Sequence, residues 1–363
     1  MTLRKIAILG PRGSVGRAVI AELLKDGPER FEITAITRPG TEYTYVPPLG
    51  AAAAEATGAA KITPASADFT SPDSLSAAFR GQDAVVNCIS GSQTQFAPTK
   101  IIIDAAVAAG VRFYLANEFV GNIHAEQYRR LPEAFVGGKV KTRAYLEGLG
   151  KEGKLEWSGI SGGPFFDMWL MKGPAGFDIK NRRARIYGTG DATLCWTPLP
   201  MMAVGVANML RWHGDATGEH DTSRFVNKGL LISGVEKFSQ NKILAVLEDI
   251  FSSSETNSAS SAPTAGPIPG GAFAVEHVDI AKINANARTA LERGEGAKAM
   301  KGLGISNQFY EPDAAGDFAH LCDNAAVGVH AVSLEQAVRD ALALYGEDCE
   351  IVQGMFNVEP CEI

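Results

Sequence analysis

The chain has 363 residues, enough for one large domain or two, and its 45% hydrophobic and 21% charged residues are ordinary for a globular protein. A net charge of −7 without any basic run argues against nucleic acid and anionic membranes as partners. No apolar segment reaches the ~18 residues of a membrane-spanning helix, and the N-terminus lacks a signal-peptide pattern, so we expect a cytoplasmic protein. Five scattered cysteines without a CxxC pair indicate free thiols and predict no metal site.

The first motif lies at residues 5–16, KIAILGPRGSVG. An apolar run ends at Gly10, glycines follow at Gly13 and Gly16, and a helical pattern begins at about Val15. Such a strand–turn–helix unit lets a pyrophosphate approach the backbone at the positive end of the helix. Gly10 then allows the tight turn, Gly13 removes a Cβ that would block the phosphate, and Gly16 lets the helix lie close to the strand. The pattern therefore predicts a dinucleotide site.

The second predicted strand ends in a cation. Residues 31–38 form a β-branched run that closes with Arg38, at the position where an NAD site would carry an acid for the ribose 2′-hydroxyl. A carboxylate would repel a 2′-phosphate, whereas a guanidinium pairs with it. Arg12, inside the glycine turn, supplies a second cation. The sequence therefore predicts NADPH as the cofactor.

Strand and helix patterns alternate along the first part of the chain. This alternation predicts an α/β fold of Rossmann type, with a doubly wound parallel sheet, as the NADP-binding domain at residues 1–160. Ligands of such sheets lie beyond the carboxyl ends of the strands, so residues that follow the strands should share one edge. The residues that we expect there are Gly10, Arg12, Gly13, Ser14, Val15, Gly16, Arg38, Asp68, Phe69, Ser90, Gly91, Asn117, Glu118 and Phe119.

The pattern changes beyond Gly163, where aromatic residues, glycines and prolines become frequent and the alternation is lost. We expect residues 161–363 to form a smaller α+β domain that mainly binds the substrate. Residues 251–271 are rich in Ser, Pro and Gly and have few large apolar side chains, which predicts a flexible insertion that is dispensable for folding.

A family resemblance narrows the function. No tyrosine is followed four residues later by lysine, which excludes the short-chain dehydrogenases that use a Tyr–Lys couple. The chain instead resembles the atypical short-chain dehydrogenases that include NmrA-like proteins and isoflavone reductase-like enzymes. The resemblance covers roughly residues 4–170. It rests on GPRGSVG at 10–16, on Arg38, on RFYLANEF at 112–119, which is similar to the family's RF-(hydrophobic)-PSEFG, and on KVKTRAYLE at 139–147, which is similar to KxxxRRxxE.

In the reductases of this family the helix lysine is catalytic, and the resemblance gives that role, beside the cofactor, to Lys139. If the alignment of this helix with the family's KxxxRRxxE pattern is shifted by half a turn, the resemblance gives the role to Lys141 instead. A desolvated lysine acts as an acid or base when its pKa falls toward neutrality, or stays charged and polarises a substrate oxygen. The family's PSEFG is here ANEFV, without the glycine, and the helix keeps one arginine of the family's pair. Whether His124 or Tyr128 assists proton transfer is left open by the sequence.

The segment at residues 162–169, GGPFFDMW, resembles the family's pocket floor near the nicotinamide. This resemblance predicts a flat apolar cleft for an aromatic or polycyclic substrate. Its expected residues are Phe165, Phe166, Met168, Trp169 and Trp196.

The predicted function is that of an NADPH-dependent reductase of secondary-metabolite type, a monomer or homodimer, that delivers hydride to a carbonyl or conjugated C=C of an aromatic or phenolic small molecule. Two alternatives remain. One is a catalytically silent NADP-sensing regulator of the NmrA type, which binds a protein partner. The other is an isomerase or condensing enzyme that uses bound nicotinamide without net turnover. The sequence names neither the substrate nor the hydride face.

Overall fold

The computed structural model describes residues 2–27, 29–50, 62–215, 217–257 and 271–361. The strands in these ranges are β1 Lys5–Leu9, β2 Glu32–Thr37, β3 Ile62–Ser66, β4 Ala84–Asn87, β5 Phe113–Ala116, β6 Glu156–Ser161, β7 Phe177–Asp178, β8 Arg183–Tyr187, β9 Lys228–Leu231 and β10 Ala274–Val278. The α-helices are α1 Ser14–Leu24, α2 Pro72–Phe79, α3 Phe96–Ala108, α4 Glu126–Arg129, α5 Gly138–Lys151, α6 Phe166–Lys172, α7 Leu199–Trp212, α8 Gln240–Asn257, α9 Ile280–Glu292, α10 Gly296–Phe309, α11 Leu334–Tyr345 and α12 Gln353–Phe356. Of the helices described, none combines the length and the apolar character needed to cross a membrane.

The chain divides into two compact units. The first unit comprises Met1–Gly162, Leu199–Ile232 and Leu321–His330, and the second comprises Gly163–Pro198, Ser233–His320 and Ala331–Ile363. The chain therefore returns twice to the first unit after residue 162. One return is held by β9, which pairs with β6, and by α7, whose Arg211 bonds to Glu22 and Asp26 at the end of α1.

The first unit is built on one parallel sheet. Its seven described strands lie in the order β3-β2-β1-β4-β5-β6-β9, so the predicted doubly wound Rossmann-type fold is confirmed. Helices cover both faces of such a sheet, which is why its central strands carry nearly continuous apolar runs. All four residues of β4 and of β5 are buried. The carboxyl ends of β1, β2, β4 and β5 therefore meet at one edge.

Strand β9 is the element of this sheet that the sequence pattern does not reveal. It has four residues, KGLL, and pairs with β6 through Gly229 opposite Gly159. Glycine has low strand propensity, so the run does not look like a strand. The glycine is nevertheless required, because a Cβ at Gly229 would overlap the guanidinium of Arg143.

The second unit is an α+β arrangement, as predicted. Its described strands form a small mixed sheet in the order β10-β8-β7, with β8 parallel to β10 and antiparallel to β7. Helices α8 to α11 contribute apolar faces to its core. Large aromatic side chains fill that core, among them Phe166, Phe177, Tyr187, Trp196, Phe238, Phe251 and Phe309.

The first residues of the flexible insertion predicted at 251–271 belong to α8, which ends at Asn257. Residues 251–257 are the last two turns of α8, and Phe251 is a buried core residue that packs 6.2 Å from the ring of Phe273. The guanidinium of Arg182 lies 3.3 Å from the centre of the Phe251 ring. The helix therefore continues into the Ser-rich segment, with Phe251 packed in the core at the point where that segment begins. Residues 258–270 lie outside the described residues.

Replacement of Gly16 by alanine should destabilise the first unit. A Cβ there would overlap the carbonyl oxygen of Gly10, which belongs to the backbone and cannot rotate away. We expect Gly16→Ala to lower the free energy of unfolding by ~1–3 kcal/mol in urea denaturation. The control is Gly148→Ala in α5, where a Cβ meets nothing within 4 Å and should stabilise the helix by ~0.5–1 kcal/mol. Equal effects of the two changes would contradict the close packing of the glycine turn.

Candidate functional site

The turn after β1 has the geometry that its three glycines predict. Gly10 has φ +72°, a backbone conformation that favours glycine, and a Cβ on it would lie 2.5 Å from the carbonyl oxygen of Cys88. Gly16 packs against the Gly10 carbonyl. Gly13 differs, because it is exposed and a Cβ there would make only ordinary contacts, with the Gly10 oxygen at 3.4 Å and the Cys88 oxygen at 3.8 Å. The backbone at Gly13 is therefore the point of the turn that a ligand could approach.

A cleft of about 470 Å³ opens above this turn, at the carboxyl edge of the sheet. Arg12 and Arg38 are exposed on its wall, and neither forms an ion pair with any residue that the structure describes. Helix α1 begins at Ser14 and has no acidic residue in its first turn, so its positive end is not neutralised locally. The cleft is lined by Gly10, Pro11, Arg12, Gly13, Ile36, Thr37, Arg38, Thr41, Phe69, Cys88, Ile89, Ser90, Gly91 and Gln93.

Two short turns shape the walls of the cleft. The Thr37 hydroxyl donates to the Thr41 carbonyl at 2.8 Å, which closes the loop that carries Arg38. Asp68 accepts hydrogen bonds from the backbone N–H and hydroxyl of Thr70, and these bonds lower the pKa of its carboxyl group. The Asp68 carboxylate is thus used within the turn, while the adjacent Phe69 lines the cleft.

A buried lysine lies at the carboxyl end of β5. Lys139, in the first turn of α5, is only 7% exposed, and its Nζ donates to both the backbone oxygen and the Oδ1 of Asn117, each at 2.7 Å. Burial lowers the pKa of Lys139 from 10.5 to about 8, against the opposing effect of the Glu118 charge. Lys141, the alternative register, is largely exposed and pairs with Glu133 at 2.5 Å. Only Lys139 has the desolvated environment that the predicted chemistry requires.

A buried ion pair stands beside this lysine. Arg143, one turn further along α5, donates from Nε to Oε1 of Glu118 at 2.5 Å and from Nη2 to Oε2. Both side chains are buried, and a Cβ at Gly159 or at Gly229 would overlap one of them. His124 is 3.1 Å from Nη1 of the same guanidinium through its Nε2. Of the two candidate proton-transfer residues, His124 therefore contacts the ion pair.

The lysine and the cleft are linked through one peptide group. Asn117 donates from Nδ2 to the carbonyl oxygen of Ile89. The Ile89 N–H donates to Oδ1 of Asn87, whose Nδ2 donates to the Tyr114 hydroxyl. Ile89 itself lines the cleft. The lysine cluster thus lies behind the cleft wall, and the cleft lining does not include Lys139 or Asn117.

The structure places the expected cofactor residues at different points of the fold. Those in the cleft wall are Gly10, Arg12, Gly13, Arg38, Phe69, Ser90 and Gly91. Ser14, Val15 and Gly16 form the first turn of α1, Asp68 shapes a turn, and Asn117 and Glu118 bind the lysine and the arginine. Phe119 is half-buried after β5. Sequence reasoning missed Thr37, Thr41, Cys88, Ile89 and Gln93, although their positions at the ends of β2 and β4 could have signalled them.

The five residues of the predicted aromatic cleft differ in their burial. Phe166 and Trp196 are fully buried in the core of the second unit, where Phe166 packs 5.3 Å from Phe238 and Trp196 donates through Nε1 to Gln308 at 2.9 Å. Their large apolar area packs within this core, and neither side chain is exposed, so a role of these two residues in substrate binding stays a prediction. Phe165, Met168 and Trp169 are half-buried. Trp169 lines an apolar groove of about 180 Å³, together with Pro174, Met300, Lys301, Gly304, Ile305, Met355 and Val358.

The fold and the cleft together define a class of protein. Such proteins bind a dinucleotide at the carboxyl edge of a doubly wound sheet, beside a glycine turn and the N-terminus of a helix. This chain has that arrangement, with Arg12 and Arg38 in the same cleft and without an ion pair in the described part of the chain. The resemblance seen in the sequence is confirmed, because the model of the NmrA-like family matches residues 2–165. This region of the chain is therefore NmrA-like. No curated relative matches the chain.

Solved structures of reductases share the fold. Leucoanthocyanidin reductase from Vitis vinifera, solved with NADPH, is 12% identical, with 93% of this chain and 99% of that chain covered and a TM-score of 0.65. The NADPH-dependent quinone oxidoreductase of Escherichia coli with NADPH is 19% identical, with 92% and 99% covered and a TM-score of 0.59. AtPrR2 with NADP⁺ and (+)-pinoresinol is 17% identical, with 96% and 97% covered and a TM-score of 0.56.

The buried lysine predicts a specific pH dependence of stability. The folded protein releases the Lys139 proton at about pH 8 and the unfolded chain at about pH 10.5, so between these values the unfolded chain binds more protons. Stability contributed by this group must therefore rise with pH in that window. We expect the unfolding free energy of the wild type, relative to Lys139→Met, to increase by roughly 3 kcal/mol between about pH 7 and pH 10.5 in denaturant titrations. A flat difference would show that Lys139 is not desolvated.

Proposed function

We propose that this protein is an NADPH-dependent reductase that transfers hydride to a carbonyl or a conjugated C=C of an aromatic or phenolic small molecule. The observation that carries the proposal is a glycine-turn cleft with two arginines, tied through the Ile89 peptide to a buried lysine. The first unit would bind the cofactor, and the second would supply most of the substrate contacts.

The residues of the cleft fit a phosphorylated dinucleotide. Gly13 leaves room where a Cβ would stand between the backbone and a pyrophosphate, and α1 offers unbonded N–H groups with no acid in its first turn. The cavity volume of about 470 Å³ lies in the range of small-molecule and cofactor sites, which is ~300–1,000 Å³. Three of the similar solved structures were determined with NADP⁺ or NADPH bound.

The arginines favour the 2′-phosphate of NADPH over the free hydroxyl of NADH. Arg38 follows β2 at the edge where the adenosine ribose lies in this fold, and no carboxylate stands among the residues that line the cleft. A guanidinium binds a phosphate through two parallel hydrogen bonds, which a hydroxyl cannot match. Arg12, within the glycine turn, adds a second positive charge to the cleft.

Lys139 is the proposed catalytic residue. When bound, NADPH supplies the hydride. Negative charge then develops on the substrate oxygen, and an ammonium group in a water-poor site stabilises it or donates its proton. With a pKa of about 8, Lys139 exists in both protonation states near neutral pH, so it both gives and recovers a proton. Asn117 holds the nitrogen in place through this cycle.

An aromatic substrate is supported by the relatives and by the second unit. One structural relative was solved with (+)-pinoresinol, a phenolic compound. Half-buried apolar side chains, Phe165, Met168 and Trp169, remain available in the second unit once Phe166 and Trp196 are assigned to the core. Flat apolar surfaces of this kind suit aromatic rings.

Loss of Arg38 should abolish cofactor selectivity. We expect wild type to bind NADPH at least about tenfold more tightly than NADH, since a charge-assisted phosphate contact is lost in the second case. Arg38→Ala should bring the two dissociation constants close together in fluorescence titrations. Arg80→Ala, an exposed arginine outside the cleft, should change neither constant. An Arg38→Ala protein that keeps its preference would contradict the assignment.

Removal of the lysine should separate binding from turnover. We expect Lys139→Ala to bind NADPH within a few-fold of wild type, because Lys139 is absent from the cleft wall, and to lose ~10²–10⁴-fold in kcat. The matched control is Lys141→Ala, two residues away and exposed, which should keep both properties. Loss of nicotinamide absorbance with aromatic ketones, enones and quinone methides measures kcat. A fully active Lys139→Ala would refute the proposed role of the lysine. A wild type that reduces no substrate, and that binds a protein partner only in the presence of NADP, would favour the regulator.

A further inference from the structure

The structure assigns a positioning role to Asn117. We propose that its two oxygens hold the Lys139 amine in a single orientation in both protonation states, leaving one fixed direction for proton exchange with a substrate. The proposal rests on the proposed reductase function, but its central element, the control of Lys139 by Asn117, can be measured without turnover.

The geometry of the lysine nitrogen carries the argument. Nζ donates to the backbone oxygen and to Oδ1 of Asn117, both at 2.7 Å. An ammonium group has three N–H donors, whereas a neutral amine has two and a lone pair. With two directions taken by Asn117, the third holds a proton in one state and the lone pair in the other. No third hydrogen-bond partner of Nζ occurs among the residues that the structure describes.

The orientation of the Asn117 amide is itself determined. Its Nδ2 donates to the carbonyl oxygen of Ile89 while Oδ1 accepts from Lys139. A flipped amide would place its NH₂ group against the lysine donor and its oxygen against the Ile89 carbonyl, and both contacts would be repulsive. The backbone at this turn is also held, since Glu118 N–H donates to the Ala116 oxygen at 2.9 Å. Asn117 therefore joins the lysine rigidly to a peptide of the cleft wall.

The residue type matters at this position. A serine hydroxyl sits one bond closer to the backbone and supplies one oxygen, so it cannot reach the lysine and the Ile89 carbonyl in the same way. The contact of one side-chain amide with both the lysine and the Ile89 carbonyl therefore depends on the asparagine.

Neighbouring charges must be included in any titration of Lys139. Glu118, the residue after Asn117, raises the pKa of the lysine and is paired with Arg143 on the same helix as Lys139. His124 contacts Arg143 from the loop after β5, and the Lys141–Glu133 pair faces outward. Substitution of Asn117 leaves all of these groups in place.

The test is a direct titration of the lysine by NMR. Protein labelled with ¹³C at lysine Cε is titrated without cofactor, and Lys139→Met identifies the signal. Wild type should titrate near pH 8. Asn117→Asp keeps the accepting oxygen and adds a charge, so the midpoint should move up by at least about one pH unit. The kcat–pH profile should move with it, because the same group titrates in both measurements.

A second variant and a control complete the experiment. Asn117→Ala should lower kcat by about 10- to 100-fold while the Kd for NADPH changes less than about threefold, since one of two anchors of the lysine is lost. Asn122→Ala, which removes only the bond from the His124 N–H to Asn122 in the same loop, should leave the titration and kcat unchanged.

The outcomes separate the two proposals. An unmoved Lys139 midpoint in Asn117→Asp, or an unchanged kcat in Asn117→Ala, overturns the role of Asn117. A wild type that reduces no substrate overturns the reductase function alone, because the NMR midpoints still report whether Asn117 controls the lysine. If Asn117→Ala does not fold, the Asn117→Asp titration decides.

Discussion

The buried ion pair between Glu118 and Arg143 is the constraint on which this end of the first unit depends. Two charges in the interior are tolerated only when each satisfies the other, and removal of one partner typically costs ~3–5 kcal/mol. The pair needs space, which Gly159 and Gly229 provide by lacking a side chain. It also sets the electrostatic surroundings of Lys139, because the Glu118 charge opposes the lowering of its pKa by burial. The Glu118–Arg143 pair thus stabilises the fold, and its carboxylate also raises the pKa of Lys139.

Much of the first unit could be predicted from local sequence. Residues 5–16 contain their own strand, turn and helix start, and Gly10 and Gly16 have the close backbone contacts that their spacing implies. The edge of the sheet at which the cleft lies could also be predicted, because parallel strands present their carboxyl ends together. Strand β9 could not be predicted. Its Gly229 is required by the side chain of Arg143, which lies 86 residues earlier in the chain and comes close only in the folded structure.

The second unit shows the limit of composition and resemblance. An aromatic side chain suits a core and a ligand cleft equally well, and only the structure shows that Trp196 is fully buried while Trp169 lines a groove. A Ser-rich segment likewise does not reveal that Phe251 anchors its first two turns. At the lysine, the motif register predicted the position, but the hydrogen bonds to Asn117 depend on where β5 ends.

The central claim is that a cleft for NADPH and a buried lysine act together in hydride transfer. The most direct measurement is a single-turnover reaction with NADPH deuterated at the nicotinamide ring and a panel of aromatic carbonyl and enone acceptors, analysed by mass spectrometry. The account predicts deuterium in the product with wild type, and transfer at least about a hundredfold slower with Lys139→Ala at saturating NADPH. Equal rates of deuterium transfer in the two proteins would contradict it.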